Sequence, residues 1–235
     1  MKIEVWSDYV CPFCYIGKRR LEIALEKFEG KENVELIFKS FELDPQAKKK
    51  YDENIYELIA KKYGMSLEES KALNNQIKEQ AKEVGLNYDL DNLKYTNTFD
   101  AHRIAQYAKE EGKMNKLSER ILKGYFIEAL DISNHDVLIE LAKEVGLDSK
   151  KVSEVLTSDK YSEDVRRDES TAAKVGVRGV PYFVFNDKYA ISGAQSSEAF
   201  LEVLEKVSKE EIEMVNPSNN DENQRGICMD GKCNI

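Results

Sequence analysis

Cys11-Pro12-Phe13-Cys14 places two thiols three positions apart near the start of the chain. On a helix that spacing stacks the side chains on one face, one turn apart and within disulfide reach. Such a pair can cycle between dithiol and disulfide, or supply two ligands to a zinc ion. The thiolate is the nucleophile in exchange, so the order of the two thiols matters. Cys11 follows an apolar run (Ile3, Val5, Trp6) and opens a helical pattern. There the unpaired amides and the helix dipole favour negative charge, and Pro12 at the first helical position sacrifices no hydrogen bond. Cys14 lies a turn deeper. Cys11 is therefore expected to attack and Cys14 to resolve, with Pro12 and Phe13 between them tuning the couple and contacting substrate.

A second pair, Cys228-Met-Asp-Gly-Lys-Cys233, spans a glycine-containing turn. Either a disulfide or two metal ligands fits that spacing. The expectation is a second redox pair that exchanges with Cys11/Cys14; a spectator tail is the alternative. The four cysteines are the chain's whole complement. Gly179-Val180-Pro181 opens a β-rich run, where a proline removes a ladder donor at a tolerable position. A cis Val180–Pro181 bond is expected, freeing the Val180 backbone to pair with an extended substrate beside Cys11; a trans proline opening an edge strand is the plain alternative.

The elements that must position these residues follow from periodicity. Residues 2–8 and 33–43 read as strands, and Cys14 to Phe28 as a helix closed by Gly30. From Tyr51 to about Leu156 only helical patterns occur. Ser66 and Glu69 form a capping box ahead of Leu73, Ile77 and Ala81, with Gly85 as the stop. Ser133 is expected to cap a later helix, leaving His135 as a first-turn residue. A further helix carries Tyr161, Val165 and Ala172, after which Val180–Phe185 and Lys188–Ile191 flank an Asn186-Asp187 hairpin turn, and a last helix follows. The order β-α-β, helical block, α-β-β-α predicts an α/β chain: a thioredoxin fold with a large all-helical insertion. The expected division is 1–45 with 160–212 for the discontinuous thioredoxin-fold domain, 46–159 for the inserted helical domain, and 213–235 for a flexible tail.

Composition narrows the class. The 235 residues include 44 acidic and 35 basic side chains, a net charge of −9, which disfavours nucleic acid as a partner. No apolar run is long enough to span a membrane, and Met1–Asp8 has no leader-like pattern, so a cytoplasmic location is expected. In that compartment spaced cysteines point to catalysis, redox sensing or metal binding rather than to structural disulfides.

Three segments together, residues 6–20 around the Cys-Pro-Phe-Cys motif, Asn97-Thr-Phe-Asp-Ala-His102-Arg103, and Gly179–Asn186 with Ile191-Ser-Gly-Ala-Gln195, resemble the FrnE-type branch of the DsbA-like thioredoxin superfamily over residues 1–208. The resemblance implies dithiol–disulfide exchange at Cys11/Cys14 with a cis proline at Pro181, acting on thiol- or disulfide-containing client proteins. It implies no bound cofactor, with glutathione a candidate redox partner. The superfamily also includes 2-hydroxychromene-2-carboxylate isomerases and kappa-type glutathione transferases, which generally carry serine where this chain has Cys11. A glutathione-dependent isomerase or transferase, and a zinc-binding redox sensor, are thus the competing functions. His102 and Arg103 match the family on an inserted helix; a histidine near a thiol would stabilise thiolate or relay a proton, whereas a helix hydrogen-bonding role is the alternative.

Overall fold

The computed structural model describes residues 1–215. Strand β1 (Lys2–Ser7) is followed by α1 (Pro12–Lys27) and β2 (Glu35–Ser40). β1 and β2 run parallel, with Ile3 opposite Leu36 and Val5 opposite Phe38. After six intervening helices and α8 (Ser162–Val175), the chain adds β3 (Tyr182–Phe185) and β4 (Tyr189–Ser192) before closing with α9 (Ser197–Val215). β3 pairs antiparallel with β1, and β4 with β3, giving the sheet order β2-β1-β3-β4. The parallel pair is joined by a crossover helix, as it must be, while β3 and β4 are joined by the three residues 186–188, one more than the expected two-residue turn, with Phe185 opposite Tyr189. Asn186 and Asp187 adopt φ of 47° and 56°, the left-handed pair that a type I′ hairpin requires and that these residue types tolerate.

This is the α/β thioredoxin fold with a helical insertion. Between β2 and α8 lie α2 (Ile55–Tyr63), α3 (Leu67–Glu83), α4 (Phe99–Glu110), α5 (Met114–Phe126), α6 (His135–Glu144) and α7 (Ser149–Leu156). Ile3, Val5, Phe183 and Phe185 of the sheet are buried in one continuous core with Leu21 of α1, Phe200 of α9 and Ile104, Leu117 and Ile121 of the insertion. The insertion therefore shares the sheet's core instead of forming its own.

Local signals largely set the helix ends. Ser66 accepts from Glu69 N–H while Glu69 returns a bond to Ser66 N–H, the reciprocal box expected, and Gly85 stands at φ 78° after α3. Two expectations are corrected. α1 ends at Lys27 with an extended Phe28, and Gly30 has an ordinary φ of −96°, so Gly30 is not a left-handed stop; a side chain there would meet the Phe28 ring at 2.9 Å. The cap of α6 is Asn134, whose side chain accepts from Asp136 N–H. Ser133 lies one residue too early, and its hydroxyl bonds Asp131 and the Lys49 carbonyl instead.

Candidate active site

The strand-to-helix junction at the end of β1 builds the centre. Cys11 is the N-cap of α1 at φ −89°, ψ 111°, with Pro12 beginning the helix. Its side chain bonds none of the first-turn amides; the thiol instead donates to the Val180 carbonyl at 3.4 Å. Cys14 lies one turn on, its N–H bonded to the Cys11 carbonyl at 3.0 Å, and its sulfur accepts from the Asp8 N–H at 3.4 Å. Both are free thiols and both are buried, Cys11 at 4% exposure and Cys14 at 2%. Exposure alone does not rank them; surroundings do. Burial, reinforced by a hydrogen bond to Cys11 and by charge on it, pushes the Cys14 thiol well up, whereas Cys11 opens onto a groove.

The Val180–Pro181 bond is cis, and the Pro181 carbonyl accepts from Gly193 N–H at 2.8 Å. Helix α1 reaches this loop through Gly17. A Cβ at Gly17 would stand 3.0 Å from Pro181 Cγ and 3.3 Å from Ala194 Cβ and Phe183 Cζ. A glycine inside a helix costs about 1 kcal/mol relative to alanine, and here it admits the close approach of the two active-site segments. Sequence reading passed over it; the only available signal was a glycine interrupting an apolar stripe.

Cys11 lies on the wall of a groove of about 440 Å³. Phe13 and Val180 line it from the thioredoxin side, Ile59 and Tyr63 from α2, and Leu73 and Ile77 from α3. Pro12 also borders it. Leu43, Tyr63 and Leu73, at 42%, 65% and 36% exposure, put apolar surface along this groove, an arrangement associated with binding. Leu73, the first residue of the apolar stripe after the Ser66 cap, thus stands exposed at the groove.

His102 lies on α4, but it bonds neither sulfur. Its Nε2 is 3.3 Å from Asp8 Oδ1, and its ring packs on Tyr9 with centroids 4.7 Å apart. Asp8 Oδ2 in turn accepts from Leu43 N–H at 2.7 Å. Of the two readings of His102, the geometry shows the hydrogen-bonding one and no direct contact with a thiol: His102 meets the residue whose amide holds Cys14. Arg103 is a structural pin. Its Nε donates to the Lys160 carbonyl at 2.9 Å and its Nη2 to the carbonyls of Val155 and Ser158, fastening the α7–α8 connection. His135 is more than a first-turn residue: its Nε2 pairs with Asp100 Oδ2 at 2.9 Å. Two participants escaped sequence reading: Asp8, three residues before Cys11, and Tyr88, whose hydroxyl donates to the Pro12 carbonyl at 2.8 Å.

Residues 2–205 match the DSBA-like thioredoxin domain. The chain belongs to that family. The Bacillus subtilis protein YwbO, itself uncharacterized, is 31% identical over 203 residues, covering 84% of this chain and 92% of that protein. A crystal structure from Streptomyces coelicolor, described as a probable DsbA oxidoreductase, superposes with a TM-score of 0.86 at 38% identity, over 89% of this chain and 91% of that one. A 2-hydroxychromene-2-carboxylate isomerase shares the fold at a TM-score of 0.62 and 15% identity, over 92% and 98% of the two chains.

As a DSBA-like protein the chain is a disulfide oxidoreductase. The expected DSBA-like membership is thus found, without reaching the FrnE branch, and the isomerase is a neighbour in fold. Among the described residues no helix is long and apolar enough to cross a membrane. Cys228 and Cys233 lie outside the described residues, and with them both the second redox pair and the zinc reading that needs all four cysteines.

Proposed function

We propose that this DSBA-like protein is a cytoplasmic thiol–disulfide oxidoreductase whose exchanging pair is Cys11 and Cys14. The observation that carries the reading is the placement of Cys11: N-cap of α1, 3.4 Å from the Val180 carbonyl, and open to an apolar groove. In the exchange, Cys11 thiolate attacks one sulfur of a client disulfide, forming a mixed disulfide and releasing the other client sulfur as thiolate. Cys14 then loses its proton and attacks Cys11 Sγ, which closes the Cys11–Cys14 bond and frees the client's second thiol. The pathway runs in either direction, and the two sulfurs carry the electrons without a bound cofactor.

Burial holds Cys14 protonated through the first step, which keeps it from competing with Cys11. An extended client segment beside the Val180 backbone would present its sulfur to Cys11, with apolar neighbours against Phe13 and α2–α3. Unfolded or partly folded proteins with cysteine flanked by apolar residues fit this groove, and glutathione serves as the small redox partner.

The test is a trapping experiment. Cys14→Ser should accumulate a mixed disulfide between Cys11 and an oxidised client peptide, mapped by non-reducing mass spectrometry, while Cys11→Ser forms none and loses insulin reduction. A trapped adduct on Cys14, or turnover by Cys11→Ser, would remove the assignment. Consumption of glutathione by an electrophile, with no reversible Cys11–Cys14 disulfide, would favour the transferase or isomerase chemistry instead.

A further inference from the structure

The segment between α3 and α4 sends one phenol into the active-site turn. Tyr88 is buried at 7% exposure. Its ring stacks on Phe126 at 4.6 Å and 24°, and on Tyr15 at 6.2 Å and 20°. The next residue is held too, since Asp89 N–H donates to the Phe126 carbonyl at 2.8 Å. The ring cannot swing without breaking that packing, so the hydroxyl stays aimed at the Pro12 carbonyl, 2.8 Å away.

That carbonyl belongs to the peptide joining Pro12 to Phe13, whose N–H is the second amide of α1. Amides of the first turn have no partner within the helix, and the second and third are those an N-cap side chain reaches. In the thiol form Cys11 donates to Val180 O. As thiolate it can only accept, and the Phe13 amide is among the donors the helix offers. A hydrogen bond to one end of a peptide strengthens the donor at its other end.

Resting on the assignment of Cys11 as the exchanging thiol, we propose that Tyr88 is a positioning residue of the redox centre: its hydroxyl polarises the Pro12–Phe13 peptide and thereby stabilises the charged, reduced form of Cys11. The inserted helical region would thus take part in setting the redox equilibrium, and not only in covering the site. Burial, together with charge on Cys11, pushes the Tyr88 phenol well above its ordinary range, so the hydroxyl remains a donor wherever the exchange operates.

The relevant equilibrium is protein dithiol plus oxidised glutathione giving protein disulfide plus two reduced glutathiones. The Cys11–Cys14 bond forms, the glutathione disulfide breaks, and the two thiol protons pass to the glutathione sulfurs. Weaker stabilisation of the reduced form displaces this equilibrium toward the protein disulfide.

Tyr88→Phe keeps the ring and its stacking and deletes only the donor. It is expected to shift the glutathione equilibrium toward the disulfide by about two- to four-fold, and to slow alkylation of Cys11 by iodoacetamide at pH 7 by a similar factor. Tyr15→Phe removes a neighbouring hydroxyl that bonds Glu119 instead of Pro12, and should leave the equilibrium at the wild-type value. A Tyr88→Phe variant with the wild-type melting temperature and an unchanged equilibrium overturns the proposal. A shift toward the dithiol, or an equal shift in Tyr15→Phe, overturns it as well. Failure of the underlying assignment looks different: the wild-type protein would then form no reversible Cys11–Cys14 disulfide in the same titration.

Discussion

Asp8 Oδ1 lies 3.3 Å from His102 Nε2, while the backbone N–H of the same Asp8 donates to Cys14 Sγ at 3.4 Å. One residue thus connects an inserted helix to Cys14, the proposed resolving thiol, and His102 reaches that sulfur only through it. Resolution requires the buried Cys14 to become a thiolate, which the Asp8 N–H stabilises as a donor, and the bond from His102 to the Asp8 carboxyl helps hold that peptide in place. His102→Ala is therefore expected to slow closure of the Cys11–Cys14 bond by about three- to ten-fold at pH 7, below the hundred-fold or so that a directly acting base supplies. Attack by Cys11 on a client disulfide should proceed at the wild-type rate. Rapid-quench separation of mixed-disulfide formation from its resolution checks this, and slowing confined to the first step would contradict it.

Gly17 gives a sharper steric prediction. Its neighbours at 3.0–3.3 Å include Pro181 and Phe183, which the sheet holds in place, so a methyl group there must displace α1 from the Pro181 loop. Gly17→Ala gains helix propensity, but overpacking typically costs about 1–3 kcal/mol, which should dominate. The variant should melt several degrees lower and reduce insulin more slowly, because Cys11 and Val180 are carried by the two segments being separated. A melting temperature at or above wild type would show that the loop yields without cost.

The fold was legible to different depths along the chain. Periodicity located the strands, because Ile3, Val5, Phe183 and Phe185 alternate or cluster as buried strand residues do, and Asn186-Asp187 announced its own hairpin. The placement of the proposed dithiol was legible for the same reason: Cys11 at the helix N-cap and Cys14 one turn on follow from local residue type and spacing. Contacts made across the fold were not. Asp8 reads as one more acid in an acidic chain, and Tyr88 as a loop aromatic, until the insertion brings the phenol to Pro12 and His102 to Asp8. Leu73 shows the limit from the other side: it shares a helical stripe with Ile77 and Ala81, which reach the core, yet it stands 36% exposed on the groove, a difference that spacing alone does not encode.

Asp100 ties the insertion together and predicts an acid dependence. Burial opposes its charge, but hydrogen bonds from Lys49 and His135, with Arg103 beside them, outweigh that opposition and hold its carboxyl below the usual range. A depressed folded value means that its stabilisation is present above the ordinary carboxylate range and is lost as pH falls through the folded value. Asp100→Asn should cost about 1–2 kcal/mol at pH 7, and the gap in melting temperature from wild type should close as pH falls below the ordinary carboxylate range and through the depressed folded value. A gap that persists at the lowest pH would mean that the loss is one of packing and not of charge.

Glu42 predicts the opposite trend. Its side chain is only 1% exposed, and although Oε2 meets Arg166 at 2.6 Å, Oε1 has no hydrogen-bond partner among the described residues. Burial raises its carboxyl above the ordinary range, against the pull of Arg166 and His102. For a raised folded value the stabilising contribution is complete below the unfolded value, about 4.3, and disappears as pH climbs through the folded one. Glu42→Gln keeps the shape and removes the titration, and the freed Arg166, 49% exposed, returns to water. The variant should therefore gain on wild type as pH rises from 4 to 7. Thermal melts of both proteins at pH 4, 5.5 and 7 decide the matter, since a difference that stays flat or moves the other way would place the cost of Glu42 elsewhere than in its buried charge.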